Sequence, residues 1–446
     1  MHVHRHDLLA TTQDSAADAD ANRKNMKRIG AAGFTGTLIE FYDLQIYTTA
    51  AALVFAHVFF PQLGAAAGTV AAFGTIGVVF VARPVGSILL GHFGDKLGRK
   101  KTLVLTLLMM GLSTVAVGLL PTSQQIGIFA PIALIALRII QGIAAGGEFA
   151  GAALLVAENA PPGKRGAWSA LPNLGGAASN TVAGLTMLLT SLTMSSETFR
   201  AWGWRVPFLF SGVLLVVGLW IRMKMGETPV FAKQVSEHGT SRVPILDAFS
   251  SQPRDLLLGC LVEVPAFSML YLVVTFVLNY GVNTLRLSYT EVLLVTVTSG
   301  IVTFIGIVIS SQLSDRIGRK PVLLIANGLA AAWALVLFPI LYSGTLAGYT
   351  AAVLVTVLIA GFIFGPVGAF MSELFPTRYR YTAVGVCYNA SGIIGGALPP
   401  LVAAPIIAAY GTYAFGAVLS GVCLISFLCC IALKETRLRK LDADIS

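Results

Sequence analysis

Glu40, Asp43, Arg83, Arg138, Glu148 and Glu263 each lie well inside a long apolar run, where a chain normally keeps no charge. On insertion scales an ionisable side chain costs about 2.5–3.5 kcal/mol at the centre of a bilayer, so such groups face a protein interior or a watery path. Glu40 and Asp43 are three apart and share one helical face, with Tyr47 four residues further on. At 100° per residue, Arg138, Gln141, Ala145 and Glu148 fall within about 80° of one another, a polar stripe on an otherwise apolar helix. Beside it run Gly142, Gly146, Gly147 and Gly151, the small-residue spacing that lets helices approach closely. A carboxyl beside an arginine stays ionised; parted from it in a dry site, it takes up a proton. Four acids facing two arginines leave at least one carboxyl without a full partner, a proton carrier. The bland alternative is a static ion-pair network that only fixes helix packing.

A second set of residues repeats. Gly91-His92-Phe93-Gly94-Asp95-Lys96-Leu97-Gly98-Arg99-Lys100 recurs half a chain later as Ser311-Gln312-Leu313-Ser314-Asp315-Arg316-Ile317-Gly318-Arg319-Lys320. Each copy lies between two apolar runs, which implies a duplicated membrane module of the kind that rocks in transporters. Asp95 and Asp315 can face the positive N-terminal end of a neighbouring helix, while Arg99 or Arg319 pairs with another acid. Such contacts form when the cytoplasmic side is closed and break when it opens, so the motif is a latch. A topology signal alone would explain its Lys and Arg but not the repeated Asp and Gly.

The elements that must hold these residues follow from composition. Hydrophobic residues make up 56% of the chain and charged residues 11%, too few to cover a soluble surface when an ordinary soluble domain carries about 25% charged residues. The net charge of +9 is not a nucleic-acid signal, because the basic residues are scattered through short gaps between apolar runs. Twelve runs are long enough to span lipid as helices: 30–58, 69–92, 102–120, 128–157, 167–192, 206–223, 255–280, 289–311, 320–341, 347–373, 381–409 and 411–433. None shows the alternation of a membrane barrel. Lys and Arg crowd the loops of one side, Arg222 counted among them, while the other side holds only Arg200, Arg205 and Arg286; both termini are therefore expected in the cytoplasm.

The expected fold is an all-α integral membrane protein, with twelve transmembrane helices in two pseudo-symmetric six-helix bundles, 26–223 and 255–433. Residues 1–25 are expected as a disordered cytoplasmic tail, 224–254 as a cytoplasmic linker and 434–446 as a second tail. No cleaved signal peptide is expected, since the polar start lacks an apolar core. Cys260, Cys387, Cys423, Cys429 and Cys430 all lie in apolar runs and read as packing residues; the histidines at 2, 4 and 6 read as part of the tail, and no metal site is expected.

Together these residues make the chain resemble the major facilitator superfamily, and within it the metabolite–proton symporter family that includes shikimate, 2-oxoglutarate and proline/betaine permeases. The closer likeness rests on Glu40-Phe41-Tyr42-Asp43, on Arg138-x-x-Gln141-Gly142 followed by Gly146-Gly147-Glu148, and on Trp202-Gly203-Trp204-Arg205-Val206-Pro207-Phe208. Glu227-Thr228-Pro229-x-Phe231 and Glu373-Leu374-Phe375-Pro376-Thr377-Arg378 add to it. The resemblance implies a latch at Gly91, Asp95, Gly98 and Arg99 with Glu158 as its partner, repeated at Asp315, Gly318 and Arg319. It also implies a buried Arg138 that tunes proton binding. Ser311 in place of the first glycine implies a weaker second latch. Leu171-Pro172-Asn173-Leu174-Gly175-Gly176 only loosely echoes the signature of drug–proton antiporters, which argues against multidrug efflux. The short tail after Lys434 argues against an osmosensor.

The expected function is proton-coupled symport of a small organic metabolite, a carboxylate, across the cytoplasmic membrane by alternating access. Arg83 and Arg138 would hold the carboxylate, with Tyr42, Gln141, Tyr271 and Asn389 completing the site. Glu40, Asp43 and Glu148, tuned by Arg138, would carry protons. A monoanion entering with one proton moves no net charge, so only the pH gradient drives it, about 1.4 kcal/mol per unit; a second proton adds about 2.3 kcal/mol per 100 mV. The alternatives are uptake of a zwitterion or quaternary ammonium compound, efflux by proton exchange, or a non-transporting membrane sensor. No enzyme is expected, and no cofactor beyond the proton gradient. The expected partners are the lipid bilayer, the small-molecule substrate and protons, with no nucleic acid, and the protein is expected to act as a monomer.

Overall fold

The computed structural model describes residues 3–161, 163–224 and 244–439. Among them the chain folds into twelve helical rods. In the first half these are α1 (Val3–Ala50), α2 (Gly64–Leu97), α3 (Arg99–Leu119), α4 (Phe129–Asn159), α5 (Leu171–Thr193) and α6 (Arg205–Met223). In the second half α7 begins at Pro253–Val262 and resumes at Val264–Leu272, followed by α8 (Tyr289–Ile317), α9 (Arg319–Leu341) and α10 (Leu346–Leu374). The rod α11 runs over Arg380–Ser391 and, after a π-helical turn at Gly392–Ala397, over Leu398–Tyr410; α12 is Thr412–Ala432. Nine of the rods are long and apolar enough to cross a bilayer by length and composition alone. The other three carry polar or interrupting residues: Glu40 and Asp43 in α1, Asn173 and Asn180 in α5, the π turn and prolines in α11.

Packing repeats between the halves. The α2–α4 and α3–α6 contacts of the first half recur as α8–α10 and α9–α12, and two of the cross-half contacts, α2 with α11 and α5 with α8, are related in the same way. Where α2 crosses α4, a Cβ on Gly142 would sit 2.7 Å from the Val79 carbonyl oxygen, and one on Gly146 would collide with that of Arg83. The small-residue stripe thus lets α4 lie directly on α2. Outward, Val81, Leu112, Val216, Leu294 and Leu428 are exposed, an apolar belt suited to lipid.

The apolar cores show how the halves meet. At the end of the bundle that carries the repeated motifs, hereafter the motif face, one core spans both halves, joining Phe149, Leu154 and Leu174 to Leu256, Phe370 and Tyr381. Toward the opposite end each half has its own core, around Phe55 and Trp204 in the first and Phe338 and Phe415 in the second. The molecule is shut on the motif face.

One expectation about the chain ends changes. Helix α1 already begins at Val3, where an unstructured tail was expected. Residues 1–29 contain neither Gly nor Pro and include five alanines, so propensity favours helix there. The tail after 433 is anchored as far as Arg439: the Glu435 carboxylate accepts the backbone amides of Arg319 (3.0 Å) and Lys320 (2.9 Å), and so caps α9. Of the linker, residues 225–243 lie outside the described residues, as does the Glu227–Phe231 motif, and Pro244–Ser251 form a short helix.

Candidate functional site

Five of the residues singled out by type and spacing converge on one small cavity inside the first half. Glu40 and Asp43 from α1, Arg83 from α2, and Arg138 and Gln141 from α4 line it, with Val79, Met110 and Ala145 as apolar wall. Arg83 donates to Glu40 Oε1 at 2.9 Å, a pair buried on both sides. Arg138 reaches Asp43 Oδ2 at 3.5 Å and Gln141 Oε1 at 2.9 Å, with its guanidinium 3.6 Å from the centroid of the Tyr47 ring. Gln141 and Thr114 each donate to Asp43 Oδ1, at 3.0 and 2.8 Å. The α1 face anticipated from the three-residue spacing is what brings Glu40 and Asp43 together here.

The two carboxylates differ in completeness, while Arg138, like Arg83, keeps guanidinium nitrogens without a partner. Asp43 is held by a guanidinium, an amide and a hydroxyl. Glu40 keeps Oε2 without a hydrogen-bond partner, and Arg83 keeps Nε free. In a buried site an unsatisfied acceptor beside an unsatisfied donor is costly and rare. It is also the arrangement that an incoming carboxylate could complete, by taking a share of Arg83.

Glu148 is not part of this cluster. Ten residues on from Arg138, it lies about 15 Å further along α4 at 1.5 Å per residue, too far for a direct pair despite the shared face. It pairs instead with Arg222 of α6, whose two terminal nitrogens reach both carboxylate oxygens, and it accepts from Thr106 at 2.6 Å. Arg222 was counted among the loop charges, yet it is 2% exposed. Gly36 of α1 makes room for it, since a Cβ there would collide with both the Arg222 guanidinium and the Glu148 carboxylate. Three acids of the first half therefore meet three arginines, and the fourth acid, Glu263, stands apart in the second half.

Among the other expected substrate contacts, Tyr271 of α7 faces the cavity residues from across the interface, its ring 5.5 Å from that of Phe80 and its hydroxyl within the field of Arg83. Asn389 of α11 donates to the Gly146 carbonyl of α4 at 2.9 Å, a bond between halves. Tyr42 points elsewhere: one position off the Glu40–Asp43 face, its hydroxyl donates to the Pro207 carbonyl at 2.9 Å. Tyr388, which sequence reasoning passed over, stacks on Phe149 of the other half with ring centroids 3.6 Å apart.

At the motif face both aspartates meet helix N-termini of the opposite half. Asp95 accepts from the Thr382 amide (3.2 Å) and hydroxyl (2.8 Å) at the start of α11. Asp315 accepts the amides of Gly166 (2.8 Å) and Ala167 (2.9 Å) in the short helix Arg165–Ser169. Gly98 and Gly318 turn the chain at φ 103° and 109°, a conformation that favours glycine, which accounts for their repetition. Arg319 links Asp315 (2.8 Å) to Glu373 (3.3 Å), and Glu158 pairs with Arg380 across the halves at 3.3 Å. The side chain of Arg99 lies outside the described residues. At the first copy Gly91 provides the clearance, 3.1 Å from its would-be Cβ to Thr382 Cα; at the second, Gly166 does so from the opposite side, 2.7 Å from the Ser311 carbonyl oxygen.

A twelve-rod bundle with this internal repeat and these paired motifs invites comparison with known proteins. The family model of the Major Facilitator Superfamily matches residues 33–400. The chain belongs to that superfamily. Within this superfamily, it is 38% identical over 434 residues to the inner membrane metabolite transport protein YhjE of Escherichia coli K12, covering 96% of this chain and 98% of that one. It is 34% identical to the shikimate transporter of the same organism, covering 96% and 99%. The fold is shared with the proton:xylose symporter XylE of E. coli, at TM-score 0.78 and 17% identity, covering 94% of this chain and 98% of that one. These are membrane transporters, not enzymes, and the chain is a multi-pass membrane protein of the same superfamily.

Proposed function

We propose that this major facilitator chain imports a small carboxylate metabolite together with protons, by alternating access, and works as a single copy in the cytoplasmic membrane with the motif face toward the cytoplasm. The observation that carries the reading is the incomplete Arg83–Glu40 pair facing a cavity inside the bundle. A substrate carboxylate and Glu40 compete for one guanidinium. When the substrate takes Arg83, Glu40 is left buried without its counter-charge and takes up a proton. Loss of substrate returns Arg83 to Glu40 and drives the proton off. Binding of anion and of proton are thereby made mutually favourable. The relative named as a shikimate transporter, shikimate being a carboxylate, supports this substrate class, and the side-chain contacts that shut the motif face support the latch role of Asp95 and Asp315.

The test is thermal stabilisation of the purified protein by a panel of hydroxylated and simple carboxylates, each beside its neutral amide. Carboxylates should raise Tm and their amides should not, and Arg83→Gln should abolish the difference. Equal stabilisation by acid and amide contradicts the reading.

A further inference from the structure

Glu263 is a buried carboxyl that the mechanism above leaves unused. It is 0% exposed, and neither of its oxygens has a hydrogen-bond partner. The acids Glu40, Asp43 and Glu148 each pair with an arginine, whereas among the described residues no Lys or Arg pairs with Glu263. A buried carboxylate with no counter-charge and no donor is the least favourable state of this side chain, so the group here is a neutral acid.

Its setting is a built break in a helix. Pro265 has no amide to give the Leu261 carbonyl, and Ser426 of α12 donates to that carbonyl at 2.6 Å instead. Ser391 of α11 does the same for Cys260 at 2.7 Å. The backbone of α7 at Glu263 is thus secured by two neighbouring helices while the carboxyl itself is left unbound. Tyr388 lies within the fields of both Glu263 and Glu40, and its own hydroxyl has no partner. Its ring stacks on Phe149 of the first half and meets Phe267 of α7, so it lies at the interface between the halves.

We propose that Glu263 is a second proton-binding site, loaded when the motif face is shut and emptied when the halves rearrange. This rests on the symport reading for its role in transport. The step is a proton transfer alone: the proton leaves the carboxyl for water admitted to the α7 break, and returns from water on the reset.

Infrared spectroscopy of the lipid-reconstituted protein tests the proton directly. The carbonyl stretch of a protonated carboxylic acid should be present in wild type and lost in Glu263→Gln, and it should shift without disappearing in Glu263→Asp, which guards against a fold defect in the first variant. Proton-to-substrate stoichiometry in proteoliposomes then tests the role, with a loss of one proton per substrate expected in Glu263→Gln. A wild-type spectrum with no band assignable to Glu263, or an unchanged stoichiometry in a folded Glu263→Gln, overturns the proposal. Should wild-type uptake ignore the pH gradient, the symport reading fails on its own account, while the infrared band still decides whether Glu263 holds a proton.

Discussion

Glu40 and Glu148 are both buried glutamates beside arginines, yet their partners make opposite predictions. Both oxygens of Glu148 are bonded, to Arg222 and Thr106, whereas Glu40 has one oxygen free and shares its arginine with the cavity. Glu40→Gln should abolish uphill uptake driven by a pH gradient and spare exchange of labelled for unlabelled substrate; intact uphill uptake would reject Glu40 as the coupling group. The Arg222–Glu148 pair should matter first for stability. Removing one partner of a buried pair costs about 3–5 kcal/mol, whereas replacing both with neutral groups of similar size is often tolerated. Arg222→Met should therefore lower stability by about that amount in a denaturation assay, and Arg222→Met with Glu148→Gln should recover most of it. At this scale the sequence was informative where a charge interrupted an apolar run, as at Glu40, Asp43, Arg83 and Arg138. It misled at Arg222, because an arginine at the end of a run beside Lys224 looks like every other topology charge. Shared helical face also overreached: it grouped Glu148 with Arg138, when the rise along α4 separates them.

Close approach between helices sets the next scale. Gly36 is the clearance on α1 into which Arg222 and Glu148 fit, so Gly36→Ala should weaken the pair and lower stability in the same assay, while leaving the Arg83–Glu40 contact in place. Wild-type stability in Gly36→Ala would show that the pair can shift without loss. The contacts of Asp95 and Asp315 are charge-assisted bonds to backbone amides and a hydroxyl, each worth about 1.5–3 kcal/mol, and on the proposed latch role they join the halves only while the motif face is shut. Asp95→Asn should shift the balance toward opening by roughly tenfold per 1.4 kcal/mol lost. The readout is labelling of single cysteines placed at the motif face, which should speed up, with turnover changed more than substrate affinity. Labelling and turnover equal to wild type would remove the latch role. Twelve helices and both motifs were readable from runs of apolar residues and from the repeat itself. The break of α7 at Glu263, the π turn of α11 and the Glu435 cap on α9 were not. Each depends on neighbours distant in sequence, such as Ser426 for the carbonyl freed by Pro265.

For the whole molecule, the repeated packing and the distribution of cores describe a two-bodied carrier caught with one end shut. One core runs through both halves at the motif face, and two separate cores occupy the far end. Opening the motif face must break the Asp95, Asp315 and Glu158 contacts and divide the shared core, so substrate binding has to supply the differential free energy for that change. On the proposed reading, the competition at Arg83 ties that change to a proton. The most direct measurement is uptake of a stabilising carboxylate into proteoliposomes with an imposed inward pH gradient, compared with and without a protonophore. The account predicts accumulation above equilibrium that collapses to equilibration when the gradient is dissipated. Accumulation that persists without the gradient, or none with it, would contradict coupling of substrate and proton.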